Sequence, residues 1–128
     1  MENILIDTDI VIEYLRNKDK SSTDLIKLMQ DNDLFLSSIS EFELYLGAKT
    51  DRHQKDLEMI FSEVDVIPFD FGCGKIAASI WNDIQSRHQY LEIKDIFIAS
   101  IAISNDICLH TFNKKHFLGI ENLQLWDS

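Results

Sequence analysis

Ile4-Leu5-Ile6 is an unbroken run of branched apolar residues that stops at an acid, Asp7, with a second acid, Asp9, just beyond it. A strand that is apolar on both faces has to be covered on both, and a parallel sheet flanked by helices covers it. Ligands of such sheets collect outside the carboxyl ends of the strands. The chain therefore carries paired carboxylates where chemistry would sit. Asp is also a preferred helix N-cap, so for either acid alone capping the helix that opens near Ile10 is the better reading. Further acids, distant in sequence and at the same end of other strands, would decide between the two.

The rest of the chain repeats the unit of strand then helix. Residues 4–7 read as a first strand, and Ile10, Val11, Tyr14 and Leu15 then share one stripe of a helix that fades in Asn17-Lys18-Asp19-Lys20. A short helix over 21–30 leads to a second strand, Leu34-Phe35-Leu36, which ends in Ser37-Ser38, and helices follow over 40–48 and 51–64. Residues 64–68 read as a third strand, running into a helix capped by Asp70 that reaches Arg87. Residues 96–103 are apolar nearly all round, as in a helix buried inside a domain. Residues 107–111 then read as a fourth strand and 123–126 as a last edge strand. The expected fold is a three-layer α/β/α sandwich around a mainly parallel sheet of four to five strands.

The chain has 128 residues, a single proline (Pro68) and no low-complexity tract, which suits one domain over 1–128. Its start lacks the basic and then apolar segments of a secretory signal, and no apolar stretch approaches the roughly 18 residues of a membrane span, so a cytoplasmic protein is expected. Cys73 and Cys108 are isolated among apolar neighbours and read as reduced structural thiols. With 12 Lys and Arg against 22 Asp and Glu, the net charge of −10 disfavours a broad grip on nucleic-acid backbone. A small cleft remains open to such a substrate, because a bound divalent cation reverses the field around clustered carboxylates.

Glu41 and Glu43 lie just inside the helix after the second strand. Ser38-Ile39-Ser40-Glu41 and Ser40-Glu41-Phe42-Glu43 both spell a capping box, so each glutamate has a structural explanation as well as a functional one. Asp95 stands immediately before the apolar helix, where capping and ligation are equally good readings. Taken together, Asp7, one glutamate and Asp95 are acids at the starts of three separate crossovers. Carboxylates brought so close repel unless neutralised, and hard oxygen donors with water call for Mg²⁺ or Mn²⁺. Thr111 and Asn113 follow the fourth strand and would reach the same edge to orient water, or would simply form a polar turn.

Four segments in this order resemble the PIN-domain family, and within it the VapC-type toxin ribonucleases of prokaryotic toxin–antitoxin pairs. Ile4-Leu5-Ile6-Asp7-Thr8-Asp9 resembles the family's first-strand motif and Glu43-Leu44-Tyr45-Leu46-Gly47-Ala48 its E-L-x-x-G-A helix. Asp95-Ile96-Phe97-Ile98-Ala99-Ser100 is similar to its D-x-x-I-A-x segment, and Thr111-Phe112-Asn113-Lys114-Lys115-His116-Phe117 to its T-x-N-x-x-D-F ending. The resemblance spans essentially the whole chain. It implies a Mg²⁺-dependent endoribonuclease acting on single-stranded or looped RNA, with Mn²⁺ as a substitute, and a homodimer inhibited by a small antitoxin. It implies Asp7, Glu43 and Asp95 as catalytic, metal-binding carboxylates and Asp9, Thr111 and Asn113 as auxiliaries, leaving Glu41 to complete the cap with Ser38.

Two positions depart from the pattern. His116 stands where many members carry a fourth acid, and His88 where a glycine commonly precedes the third. The first implies one firm Mg²⁺ site and a second that substrate completes. Two rival readings compete. Asp7-Thr8-Asp9-Ile10-Val11 also fits the D-x-D-x-T/V signature of haloacid-dehalogenase-like phosphatases, with Asp7 as nucleophile and Asp9 as acid–base residue. That reading wants a later Lys and a further acidic motif in a longer core. A catalytically weak PIN-like interaction module is the other, and it predicts no divalent ion in the pocket.

Overall fold

The computed structural model describes residues 1–127. Strands β1 (Asn3–Ile6), β2 (Asp33–Ser37), β3 (Asp65–Ile67) and β4 (Cys108–His110) form one sheet in the order β3-β2-β1-β4, every pair parallel. Helices α1 (Thr8–Arg16), α2 (Asp24–Met29), α3 (Ser38–Gly47), α4 (Asp51–Glu63), α5 (Cys73–Ser86), α6 (Ile93–Ser104) and α7 (Lys114–Phe117) connect and cover it.

Strand side chains alternate between faces, so the apolar run of β1 feeds two cores. Leu5 points with Leu109 into a core closed by Ala77 and Ile84 of α5 and Ile96, Ile98 and Ile101 of α6. Ile4 and Ile6 point the other way, with Leu34 and Leu36 of β2, into a core closed by Ile10 and Val11 of α1, Leu25 of α2 and Leu57 of α4. This is the expected three-layer sandwich. Each fully buried Ile or Leu contributes about 1.5–3 kcal/mol of transfer free energy. Helix α6 is apolar all round because it lies in the interior, with Ile96, Ile98, Ala99, Ile101 and Ala102 all buried.

Several boundaries differ from the sequence-based expectation, each for a local reason. Helix α1 starts at Thr8, before Ile10, with Asp7 as its N-cap. No loop separates β2 from α3, so the cap is the strand's last residue: the Ser40 N–H donates to Ser37 Oγ at 3.0 Å. Ser38 does not cap with Glu41, since its hydroxyl accepts from the Phe69 N–H. Helix α5 starts at Cys73, after Gly72 at φ 103°, and Asp70 accepts from the Cys73 thiol at 3.4 Å instead of capping. Residues 123–126 form no strand. Only Leu125 bridges to Leu109, with the Leu109 N–H donating to the Gln124 carbonyl and the Trp126 N–H to the Leu109 carbonyl, enough to cover the edge of β4. Both cysteines are free, Cys73 buried and Cys108 half-buried. Among the described residues no helix is long and apolar enough to cross a membrane.

The sheet topology sets the position of the site. The chain goes from β1 outward to β2 and β3, then returns to pair β4 on the other side of β1. The direction of winding therefore reverses between β1 and β4, which is where open α/β sheets bind ligands. The register pairs Ile6 with both Leu36 and His110, so Asp7, Ser37 and Thr111 come into line one step further on.

Candidate functional site

Asp7 sits at the reversal point, only 7% exposed, and both of its oxygens are engaged. Oδ1 accepts from the Thr8 N–H at 2.8 Å, and Oδ2 accepts from the Thr111 hydroxyl at 2.8 Å, which ties β1 to β4. Burial raises its pKa above the ordinary 3.8, and these two hydrogen bonds oppose the rise without cancelling it. Asp9, in the first turn of α1, faces the turn after β4. Its Oδ2 accepts from the Phe112 N–H at 3.0 Å and from Asn113 Nδ2 at 3.3 Å, and lies 3.4 Å from the Thr111 hydroxyl. Its Oδ1 is buried with no partner. Burial, and after it the charge of Asp7, raises the Asp9 pKa.

Asp95 reaches the same edge from α6. Of its two equally good readings, capping and ligation, the first is not met: Glu92 occupies the N-cap position and Asp95 lies in the first turn, 6% exposed. Its carboxyl is pushed up to about 6, first by burial and then by the negative charge of Asp7. Glu43 joins Thr8, next to Asp7, to Lys94, next to Asp95, and so brings together acids 88 positions apart in sequence, from 95 − 7. His116 of α7 stands beside Asp95, Nδ1 to Oδ2 at 3.6 Å.

Glu43 approaches from α3 but is held differently. Its Oε1 accepts from the Thr8 hydroxyl at 2.8 Å, and its Oε2 pairs with Lys94 Nζ at 3.0 Å. The Thr8 hydroxyl also lies 2.9 Å from Ser40 Oγ. Burial alone would lower the Lys94 pKa, but the hydrogen bond and charge of Glu43, with Asp95 and Glu92 behind it, hold it above its ordinary 10.5.

Of the six residues singled out in the sequence, Asp7, Asp9, Thr111 and Asn113 form one hydrogen-bonded group, while Glu43 is bound to Thr8 and Lys94 and Asp95 stands beside His116. Thr111 and Asn113 do not stand apart as water-orienting groups, since they hold the oxygens of Asp7 and Asp9. Thr8, Ser40 and Lys94 were missed. Thr8 lies between the two acids of the motif and Lys94 next to Asp95, so adjacency was their only signal in the sequence.

The donor set is chemically suited to a hard cation. Buried carboxylates that repel one another, one with an unpartnered oxygen, are what Mg²⁺ or Mn²⁺ takes. Among the described residues no three carboxylate, imidazole or thiol side chains are grouped so as to hold an ion as they stand, since Glu43 is turned to Thr8 and Lys94. Two carboxylates suffice for Mg²⁺, which keeps several of its waters. A cavity of about 590 Å³ lined by Glu92, Asp95, Lys115 and His116, and another of about 620 Å³ lined by His110, Thr111, Asn113 and Lys114, open beside these acids.

Comparison with known proteins is consistent with this geometry. The model of the PIN domain matches residues 4–121. Ribonuclease VapC2 of Rickettsia felis is 30% identical over 131 residues, covering 96% of this chain and 97% of its own. The crystal structure of VapBC2 from Rickettsia felis bound to a DNA fragment from its promoter contains a chain that superposes with a TM-score of 0.85 at 26% identity, covering 98% and 99% of the two chains. DNA-bound VapBC from Salmonella typhimurium gives a TM-score of 0.83 at 24% identity over 99% and 98%, a likeness of fold.

Proposed function

The chain belongs to the PIN-domain family, and on that premise we propose that it is a divalent-metal-dependent endoribonuclease, the toxin of a VapBC-type toxin–antitoxin pair. The observation that carries the reading is the burial of Asp7 and Asp95, linked by Glu43 through Thr8 and Lys94, where the winding of the sheet reverses. Asp7 and Asp95 hold Mg²⁺ or Mn²⁺ and Glu43 completes the catalytic set. Such an ion, when bound, neutralises phosphodiester charge and lowers the pKa of water.

The chain's own residues supply the rest. The Thr111 hydroxyl fixes Asp7, while Asn113 and the Phe112 N–H fix Asp9, so the acids do not swing when charge develops on the phosphate. Lys114 and Lys115, on the rim beside Asp95 and Thr111, offer ammonium groups to the flanking phosphates of an RNA strand. The protein acts in the cytoplasm as a homodimer and is silenced by a small antitoxin. Phe42, Tyr45 and Leu46 leave apolar surface on α3 for such protein contacts. The phosphatase reading asks Asp9 to move a proton freely, and an Asp9 held by the turn after β4 favours the nuclease instead.

The test is cleavage of a mixed pool of structured RNAs by the purified chain with Mg²⁺ or EDTA. Asp7→Asn, Glu43→Gln and Asp95→Asn should each abolish Mg²⁺-dependent cleavage while circular dichroism shows an intact fold. Cleavage that persists in EDTA, or in Asp7→Asn, would refute the proposal.

A further inference from the structure

Among the described residues, Lys94 is the one lysine or arginine paired with these carboxylates. Its Nζ lies 3.0 Å from Glu43 Oε2, and its charge acts on Asp7 and Asp95 as well. The other Glu43 oxygen is occupied by the Thr8 hydroxyl at 2.8 Å, so both are engaged. Asp95 has no comparable partner, since His116 stands at 3.6 Å with its side chain 55% exposed. The three acids are therefore unequal: Asp7 and Asp95 share a buried edge, while Glu43 is held aside on the Lys94 side of it.

We propose that Lys94 is a built-in counter-cation that keeps Glu43 off the Asp7–Asp95 pair and so limits this site to a single tightly bound divalent ion. The inference rests on the proposed metal site and goes beyond it. Charge arithmetic supports it. With Asp9 counted, the four ionised carboxylates carry four negative charges, which two divalent ions would match, and the Lys94 ammonium reduces their sum to −3, so that a second ion leaves net positive charge. A second ion would add positive charge beside the ammonium and would have to take Glu43 from it. The pair is not locked, because the Lys94 side chain is 44% exposed and the Glu43 side chain 23%, so the device is a competition and not a permanent block. It accounts for the single firm site by means of an added cation, independently of the histidine at 116.

The test is calorimetric titration of the apo protein with Mn²⁺ alone, which needs no RNA and no turnover. The wild type should bind one ion per chain, and Asp95→Asn should bind none. Lys94→Met, at a half-exposed position where folding tolerates the change, should bind a second ion or hold the first at least ten-fold more tightly. Lys94→Gln checks that the gain follows the lost charge and not the methionine. Glu43→Gln should alter Mn²⁺ affinity less than about three-fold in the wild type and should erase the gain in Lys94→Met. That double-mutant cycle separates release of Glu43 from simple removal of a nearby positive charge.

The inference is overturned if the wild type binds two ions, if Lys94→Met binds like the wild type, or if its gain survives Glu43→Gln. Mn²⁺ binding that persists in Asp95→Asn would instead sink the metal site itself. An absence of binding in both wild type and Lys94→Met would remove both.

Discussion

Replacing Asp95 with Asn should stabilise the fold at neutral pH and leave it unchanged near pH 4. Asp95 titrates at about 6 in the folded chain against an ordinary value of 3.8, because burial and the charge of Asp7 disfavour its ionised form. The rise is about 2 units, from 6 − 3.8, and at 1.36 kcal/mol per unit it corresponds to about 3 kcal/mol. A raised carboxyl favours folding while it is protonated. That contribution is intact below 3.8 and is lost as the pH rises toward 6, so the penalty is complete above that value. Asn is isosteric with the protonated acid and cannot ionise, so the variant should overtake the wild type across this window. Solvent and the Lys94 charge screen the effect, so about 3 kcal/mol is the upper bound, about a 10 °C gain in Tm for a chain of this size. Urea unfolding in EDTA at half-unit steps from pH 4 to 8 measures the gap directly. A gap that is constant across the series, or a variant less stable than the wild type at pH 7.5, would refute the argument. Adding Mg²⁺ to about 100 times its Kd should restore about 2.7 kcal/mol to the wild type and nothing to the variant.

Three further outcomes are expected. Thr111→Val removes the donor to Asp7 Oδ2, which should cost about 1–3 kcal/mol of stability by urea unfolding, because the carboxylate is left buried. The same bond lowers the Asp7 pKa, so the acid limb of the pH–rate profile for RNA cleavage should move to higher pH in this variant. His88 lies at φ 54° in the left-handed region just past α5, its N–H donating to the Gln85 carbonyl and the Gln89 N–H to that of Ile84. His88→Gly should therefore raise stability by about 0.5–1 kcal/mol in thermal unfolding, with cleavage unchanged. Leu5→Ala should cost about 2–5 kcal/mol by urea unfolding, since Leu5 is fully buried in the core under α5 and α6.

The parts of the fold that could be read from the sequence are those set by local pattern. Ile4-Leu5-Ile6 had to be covered on both faces, and residues 96–103 had to lie inside, because no face of either is polar. His88, where the resemblance leads one to expect a glycine, shows why such reading stays approximate. It adopts the left-handed conformation that a glycine would take, and the turn is closed by two backbone hydrogen bonds. Lys94 and Thr8 were out of reach for a different reason. Their partner, Glu43, is 51 and 35 positions away, and which of its neighbours meets it depends on how α3, α6 and α1 pack.

Capping and metal binding compete for the same residues in a fold of this kind, because each helix begins where a strand's carboxyl end delivers the chain. At all three crossovers the structure assigns capping elsewhere or leaves an oxygen over. Ser37 caps α3, so Glu43 is not needed for it. Glu92 occupies the N-cap position of α6, without a side-chain capping bond, and Asp95 lies inside the first turn. Asp7 caps α1 only through Thr8, the first helical residue, whereas a cap ordinarily reaches the second or third, and its other oxygen goes across to Thr111. An acid whose only task was to cap would stabilise the fold by being charged. The positive end of a helix lowers a carboxyl pKa, yet those of Asp7 and Asp95 are raised. Carboxylates kept where ionisation costs stability are better explained by a cation than by the helices they precede, which is why the sign of the Asp95→Asn effect separates the two accounts.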